Sequence, residues 1–245
     1  MDPDDTSAVA QSAQNTPGLV EYTLENGVAT LRLNNGKVNA ISPAVIADFN
    51  LALDKAEQAG AVVVITGQSG IFSGGFDLKV LQAGPRDALD LMAQGFRLAR
   101  RLLCHPRPVI MACPGHAVAM GAILLLIADY RIGVQGPFSI ALNEVKIGMT
   151  MPHSALVLTR DRLTPAAFQR ATLLAEVFNP ESAREAGFLD QVVAAEELMA
   201  SAYRSADLAK ALDARAHRQS KLRARQALLN ALDAAEQQDR TSLGG

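Results

Sequence analysis

Cysteine is almost absent from this 245-residue chain, which contains only Cys104 and Cys113. Two cysteines are too few for a disulfide scaffold, and neither stands at metal-ligand spacing from another cysteine or a histidine. We therefore expect two reduced thiols in a cytoplasmic protein, and no metal site.

Charge of one sign and long apolar runs are lacking as well. The 23 basic residues are balanced by 25 acidic ones, for a net charge of −2, so there is no basic field of the kind that attracts nucleic acid or an anionic membrane. No apolar run approaches the roughly 20 residues needed to span a bilayer. We expect neither nucleic acid nor a membrane as a partner, and instead small molecules or further copies of the chain.

Composition divides the chain into three parts. Residues 1–16 lack the basic start and apolar stretch of a signal peptide, and we expect a flexible N-terminal tail there. At 49% hydrophobic residues, the chain can bury a full core. From about residue 195 the sequence is rich in Ala, Leu, Lys, Arg, Glu and Gln, which favours long helices. We predict a core over 17–194 and a C-terminal helical region over 195–245.

Hydrophobic periodicity predicts an α/β fold. Apolar and polar residues alternate on both sides of Asn26-Gly27, a pair typical of tight hairpin turns. Ser42-Pro43 then opens a helix that Gly60 can end. Strands and helices alternate after it, namely a strand at 61–67, a helix at about 86–104, a strand at 108–113, a helix at about 120–128 and a strand at 129–134. This order implies mostly parallel strands covered by helices.

Two glycine-containing turns are the first indication of chemistry. In GIFSGGFDLK, residues 70–79, the pair Gly74-Gly75 follows a buried strand and permits backbone dihedrals closed to other residues. Further along, AVAMGAILLL, residues 117–126, opens a wholly apolar helix with small residues. Together the two turns predict a pair of backbone N–H groups that converge on one oxygen, the arrangement that stabilises a developing oxyanion.

Four segments resemble those of the crotonase (enoyl-CoA hydratase/isomerase) superfamily. GIFSGGFDLK resembles its FSAGADLK-type segment, PVIMACPGHAVAMGA its KPVIAAVNGYALGGG segment, FSIALNEVKIGMTMP its FGLPEVKLGLIP segment, and NNGKVNAIS its early PKALNALS segment. They follow the family's order over residues 20–195. The resemblance implies a crotonase-like α/β spiral of ββα units with a C-terminal helical region used for trimerisation.

The resemblance also implies an acyl-CoA enzyme of fatty acid metabolism that stabilises an enolate of the thioester carbonyl. Carried onto this chain, the oxyanion donors are the N–H groups of Phe76 and Met120, and the base is Glu144 in LNEVKIG. Family hydratases have a second glutamate where this chain has Ile123. Because one base is enough to move a double bond from C3=C4 to C2=C3, the favoured activity is that of a Δ3,Δ2-enoyl-CoA isomerase.

The environment of Glu144 bears on this prediction. Its neighbours Ile140, Leu142, Val145 and Ile147 are apolar, and burial among them is expected to raise the pKa of the Glu144 carboxyl towards the range useful for a base.

Further residues match the family's substrate-binding positions and bind mostly through their backbone. They are Lys37, Val38, Asn39, Ala40, Gly75, Asp77, Leu78, Lys79 and Gly121. No metal, flavin or nicotinamide motif is present, so no cofactor is expected beyond the coenzyme A that forms part of the substrate.

A homotrimer or a dimer of trimers is expected for two reasons. The resemblance implies trimers, and the C-terminal helices carry more apolar surface than an isolated helical tail would expose. The residues concerned are Leu222, Leu228, Leu229 and Leu232.

Two alternatives to an isomerase stay open. One is an enoyl-CoA hydratase or another lyase of the family, which would recruit His153 or water as its second proton carrier. The other is a non-catalytic acyl-CoA-binding protein in which Glu144 only caps or pairs locally.

Overall fold

The computed structural model describes residues 18–242. The predicted tail at 1–16 lies outside these residues. Within 18–242, no helix combines the length and the hydrophobicity that crossing a membrane requires.

Ten strands and ten α-helices make up the described part of the chain. The strands are β1 Val20–Glu25, β2 Val28–Leu33, β3 Val62–Thr66, β4 Gly70–Ser73, β5 Val109–Cys113, β6 Gly115–Val118, β7 Tyr130–Val134, β8 Ile140–Ala141, β9 Val177–Phe178 and β10 Gln191–Val193. The helices are α1 Pro43–Gln58, α2 Leu78–Ala83, α3 Pro85–Leu103, α4 Met120–Leu126, α5 His153–Arg162, α6 Pro165–Leu174, α7 Pro180–Ala186, α8 Leu198–Lys210, α9 Ala214–Ala224 and α10 Gln226–Ser242.

The strands form two sheets. One sheet has six strands in the order β1-β2-β3-β5-β7-β10, and the other has four in the order β4-β6-β8-β9. Three successive strand pairs, β3/β4, β5/β6 and β7/β8, each place their first strand in the larger sheet and their second in the smaller one. A helical segment follows each pair, so the chain advances as a spiral of ββα units. The α/β fold predicted from the sequence is confirmed.

The long elements begin and end close to where the sequence predicts. Asn26 and Gly27 both have positive φ, +50° and +76°, as a type I′ hairpin turn requires. The Ser42 hydroxyl accepts a hydrogen bond from Val45 N–H at 3.3 Å and caps α1. The smaller sheet was not foreseen from periodicity, because its strands have only two to four residues.

Helix α4 is buried along its whole length, as its sequence predicts. Its C-terminal carbonyl groups are satisfied by Arg162, which donates to Leu126 O at 3.0 Å and to Ala128 O at 2.7 Å. At its other end, a Cβ atom placed on Gly121 would lie 2.3 Å from the Ser73 carbonyl oxygen. Only glycine fits there, so the start of α4 packs directly against the end of β4.

The C-terminal helices pack on their own chain. Helix α8 covers one face of the larger sheet, and α10 lies against α3 and α5. Leu228, Leu229 and Leu232 of α10 are buried in the main core, and Leu222 packs against it. The apolar surface of Leu228, Leu229 and Leu232 is therefore covered within the chain, so these three leucines give no reason to expect a trimer, and only Leu222 is left partly exposed.

A buried group of charges holds α9 in place. Asp129, at the start of β7, accepts hydrogen bonds from Lys221 Nζ at 2.6 Å and Arg225 Nη2 at 2.9 Å. The same carboxylate accepts from Val109 N–H at 2.7 Å. Since the Lys221 side chain is only 3% exposed, these charges depend on one another for compensation.

Candidate active site

The Phe76 amide points away from the segment around Ile41, with which it pairs. Ile41 N–H donates to Gly75 O at 2.8 Å, and Asp77 N–H donates to Ile41 O at 2.9 Å. These bonds form a parallel bridge between Ile41 and Phe76. In such a bridge the bonded groups belong to the residues on either side of Phe76, so its own N–H faces the opposite way. Among residues 18–242 this N–H has no hydrogen-bond acceptor.

The Met120 amide is the first N–H of helix α4. It belongs to the opening turn, whose N–H groups have no acceptor inside the helix. The preceding residue, Ala119, has φ +50° and ψ −124°, a conformation that residues other than glycine rarely adopt. Ala119 is held in it by two backbone bonds, from its N–H to Ala141 O at 2.9 Å and from Ile123 N–H to its carbonyl at 3.0 Å.

The two amides lie on segments that touch each other. Gly75 has φ +95°, and a Cβ atom placed on it would lie 3.3 Å from Met120 N and 3.0 Å from Val118 O. Phe76 is the next residue along the chain. The structure thus brings together Phe76, Gly75, Met120 and Gly121, which are residues of two turns that the sequence places far apart.

The side chain of Asn39 stabilises this arrangement of the two turns. Its side chain is fully buried, and its amide nitrogen donates to Leu33 O and Phe72 O, each at 3.1 Å. The Ser73 hydroxyl donates to Asn39 O at 2.8 Å and accepts from Gly75 N–H at 3.1 Å. The Asn39 side chain therefore has a structural role, because its hydrogen bonds fix the turn that carries Phe76. Nothing in the sequence pattern singles out Ser73 for this role.

The remaining predicted binding residues form two adjacent segments, the loop at 37–40 and the segment 77–79, in which α2 begins at Leu78. The first segment contributes Val38, whose carbonyl accepts from Gly74 N–H at 2.8 Å. In the second, the Asp77 carboxylate accepts from Lys79 N–H at 2.9 Å and caps α2. Lys37, Val38, Leu78 and Lys79 are exposed, and Ala40 is half-buried. These residues thus form an accessible surface next to Gly75.

The side chains of Phe76 and Met120 meet on helix α3. A Cβ atom placed on Gly95 would lie 2.5 Å from two ring carbons of Phe76 and 3.5 Å from the terminal methyl of Met120. The Phe76 ring also contacts Phe96 edge-to-face, with ring centroids 6.5 Å apart. The role of Gly95 could not be predicted from the sequence, because a glycine inside a helix is informative only when the residues that pack against it are known.

Glu144 follows β8 as a buried carboxyl group. Only 8% of the residue is exposed, and among residues 18–242 its Oε2 atom has no hydrogen-bond partner. Burial raises the pKa of Glu144, and its own backbone N–H partly opposes that rise. Strand β8 pairs with β6 next to Ala119, which brings the Glu144 loop to the start of α4.

The prediction that four apolar neighbours bury the Glu144 carboxyl group is correct for only two of them. Ile140 and Leu142 are buried, but Val145 and Ile147 are 44% and 53% exposed. The short 3-10 helix at Val145–Ile147 turns these two side chains outward, so they do not bury the carboxyl group.

No second acid or base joins Glu144 from the residues that the sequence suggested. Ile123 is apolar and buried in α4. His153 is exposed at the start of α5, and its backbone N–H donates to Asp239 Oδ1 at 2.6 Å. Within 18–242 there is also no cluster of three or more His, Cys, Asp or Glu side chains that could hold a metal ion.

Two sheets wound from ββα units, with one amide at the start of a buried helix and another on the glycine-containing turn that touches it, are the architecture of the crotonase fold. The model of the enoyl-CoA hydratase/isomerase family matches residues 23–243. The chain belongs to this family.

Individual relatives carry different names within the family. A solved enoyl-CoA hydratase/isomerase family protein from Pseudomonas syringae is 59% identical, with a TM-score of 0.91 over 92% of this chain and 98% of that one. A solved probable enoyl-CoA hydratase from Mycobacterium tuberculosis is 42% identical, with a TM-score of 0.89 over 92% and 96%. Mitochondrial enoyl-CoA delta isomerase 1 from Mus musculus is 29% identical over 75% of this chain, and the match spans 65% of the mouse enzyme.

Proposed function

We propose that this protein is a Δ3,Δ2-enoyl-CoA isomerase with Glu144 as its single base. The observation that carries the proposal is the buried Glu144 carboxyl group, which lies on a loop next to the helix that begins at Met120 and has one oxygen without a hydrogen-bond partner in the described part of the chain. It is combined with the apolar residue Ile123, where family hydratases have a second glutamate. The name of the mouse relative supports the same activity.

The reaction needs one proton carrier and one oxyanion site. Glu144 takes a proton from C2 of the 3-enoyl thioester, and the electron pair of that C–H bond moves to form the enolate. The N–H groups of Phe76 and Met120 donate to the enolate oxygen. Glu144 then returns the proton to C4, the double bond forms between C2 and C3, and the thioester carbonyl is restored.

The raised pKa of Glu144 suits this role. A base is most effective when its pKa lies near the working pH, and a buried carboxyl group approaches that range from below. Residues 37–40 and 77–79, with Gly75 and Gly121, are proposed to hold the coenzyme A part of the substrate, and no other cofactor is required.

The decisive experiment measures turnover of 3-enoyl-CoA by the absorbance of the conjugated product. Glu144→Gln keeps the size and hydrogen bonding of the side chain but cannot accept the proton, so the rate should fall by about 10²–10⁴-fold while acyl-CoA binding persists. Glu185→Gln, at an exposed position on α7, is the matched control and should leave the rate unchanged.

The outcomes separate the alternatives. Unchanged turnover in Glu144→Gln would refute the single-base mechanism. Strong hydration of 2-enoyl-CoA by the native protein would favour a hydratase, which the name of the mycobacterial relative allows. Binding of acyl-CoA without any turnover would favour a non-catalytic binder.

We also propose that the protein assembles as a homotrimer or a dimer of trimers in the cytoplasm. The assembly rests on the family resemblance alone, and light scattering at micromolar concentration tests it. A monomer would refute it.

A further inference from the structure

A groove of about 480 Å³ lies between helix α9 and the segment that leads into strand β5. Pro106 and Arg107 come from the segment before β5, and Arg215 and Arg218 come from α9. The volume falls in the range of small-molecule sites, about 300–1,000 Å³. The groove is therefore large enough for an organic ligand.

The three arginines of this groove have no anionic partner in the described part of the chain. Among residues 18–242, Arg107, Arg215 and Arg218 take part in no ion pair, unlike the arginines that pair with carboxylates elsewhere. The Nε atom of Arg107 is buried and lacks a hydrogen-bond partner there as well. An unpaired buried N–H group costs free energy, so the Arg107 guanidinium indicates an acceptor that comes from outside the chain.

Two acidic residues close to α9 are already engaged. Asp213 accepts from Ala216 N–H at 2.7 Å and caps α9, and Asp129 is paired with Lys221 and Arg225. Neither acid lines the groove, and α9 itself contains no acidic residue. The positive charge of the groove is therefore not balanced by its own lining.

The two sides of the groove are fixed to each other by Lys221. Its Nζ atom donates to His105 O at 3.1 Å and to Arg107 O at 3.2 Å, and the same atom is paired with Asp129. A ligand that binds here meets two backbone segments that are already in place. Less binding free energy is then lost in ordering the site.

The positive charge around α9 also affects His217. Burial lowers the pKa of His217, and the nearby cations of Lys221 and Arg107 lower it further, whereas Asp129 raises it. The cations on both sides of the groove therefore still act on a neighbouring group, as charges without a counterion do.

The donor set favours phosphate groups over a carboxylate. Each arginine presents a planar fork of N–H donors that matches two oxygen atoms. A carboxylate has only two oxygens, enough for one arginine, whereas a diphosphate offers more oxygens and more charge. Pro106, Ala214 and Leu222 add an apolar part to the lining, on which the organic part of a diphosphate ester can lie.

We propose that the groove binds a free diphosphate ester, such as a nucleoside diphosphate, and that Arg107, Arg215 and Arg218 hold its phosphate groups. The site is separate from the candidate active site. Strand β5 begins at Val109, beside the groove, and the chain reaches the Met120 amide only after Cys113, where β5 ends. The length of this strand, about 17 Å, thus separates the two sites. The inference does not depend on the proposed isomerase activity.

The test measures binding of inorganic pyrophosphate and of ADP by calorimetry. Both should bind, AMP should bind more weakly, and adenosine should not bind. Arg107→Gln, Arg215→Gln and Arg218→Gln should each weaken pyrophosphate binding by about tenfold, because hydrogen bonds between charged groups exceed ordinary ones. The matched control is Arg223→Gln, at an exposed position of α9 outside the groove; it removes the same charge and should keep the affinity.

A second arm separates this site from one for the phosphate groups of coenzyme A. Pyrophosphate is titrated in the presence of a saturating, unreactive acyl-CoA, and its affinity should be unchanged. The KM for 3-enoyl-CoA should also be unchanged in the three arginine variants. If acyl-CoA displaces pyrophosphate, or if the arginine variants raise this KM, the arginines serve the thioester substrate and the inference is overturned.

Two further outcomes would also overturn it. One is the absence of pyrophosphate binding, and the other is a loss in Arg223→Gln equal to that in the groove variants, which would indicate only a diffuse effect of charge. Thermal unfolding of every variant shows whether it is folded. Because turnover of 3-enoyl-CoA is measured separately, failure of the proposed function and failure of this inference are distinguishable.

Discussion

Replacing Ala119, at the half-buried junction between β6 and α4, by glycine should stabilise the protein. At φ +50° and ψ −124° the alanine occupies a region where a non-glycine residue costs about 1–3 kcal/mol. Glycine removes that strain but adds freedom to the unfolded chain, which costs about 0.4–1 kcal/mol. The balance is a gain of about 1 kcal/mol in the free energy of unfolding, or about 2–4 °C in Tm for a chain of this size.

The matched control is Ala117→Gly in strand β6. Ala117 is fully buried, whereas Ala119 is half-buried; Ala117 is not among the described residues with positive φ, so glycine should destabilise there by about 1 kcal/mol. Both variants are compared by thermal and urea unfolding. If Ala119→Gly lowers stability as much as Ala117→Gly does, the backbone at Ala119 is not strained and the reasoning is wrong.

The Ala119→Gly variant also tests whether relief of the backbone strain changes catalysis. The two backbone bonds that hold residue 119, to Ala141 O and from Ile123 N–H, do not involve its side chain. The Met120 amide should therefore keep its orientation in Ala119→Gly, and turnover of 3-enoyl-CoA should be retained. Ala119→Val, a β-branched residue at positive φ, should lose both stability and turnover.

Three further substitutions test other parts of the site and its support. Gly121→Ala puts a Cβ atom 2.3 Å from Ser73 O, so the backbone must shift; we expect a loss of about 1–3 kcal/mol by urea unfolding and slower turnover. Asp129→Asn leaves buried cations uncompensated and should cost about 3–5 kcal/mol in the same assay, whereas the exposed control Asp233→Asn should cost at most about 1 kcal/mol. Because burial raises the pKa of Glu144, its ionised form is disfavoured in the folded state; Glu144→Gln should raise Tm near neutral pH, and the gain should vanish below the unfolded pKa of about 4.3. A Tm gain that is independent of pH would contradict the raised pKa.

The sequence predicts those parts of the fold that produce a long enough pattern. Helix α3 and strands β3 and β5 are recognisable from periodicity and from their bounding turns. Strands β8 and β9 have two residues each, too few for any period, and they exist only because neighbouring strands offer hydrogen-bonding partners. The residue pattern therefore does not predict the smaller sheet, and the family resemblance implied only the ββα units.

The candidate site, too, is only partly predictable from the sequence. The two amides follow from glycine-containing turns, which are local features. The contact of Gly95 with Phe76 and the hydrogen bond from His153 N–H to Asp239 join residues far apart in the chain, and no local signal marks either pair. Asn39 is an intermediate case. The motif that contains it is recognisable in the sequence, but the hydrogen bonds of its side chain could not be predicted.

That the two proposed oxyanion donors are backbone amides has a consequence for how such a protein can diversify. Every residue except proline supplies the same N–H group, so substitutions at positions 76 and 120 can change what the acyl chain meets without removing either donor. In this chain those positions carry phenylalanine and methionine, and Gly95 opposite provides the room for them. Substrate preference and reaction chemistry are thus encoded by different atoms of the same two residues, and selection can alter one while conserving the other.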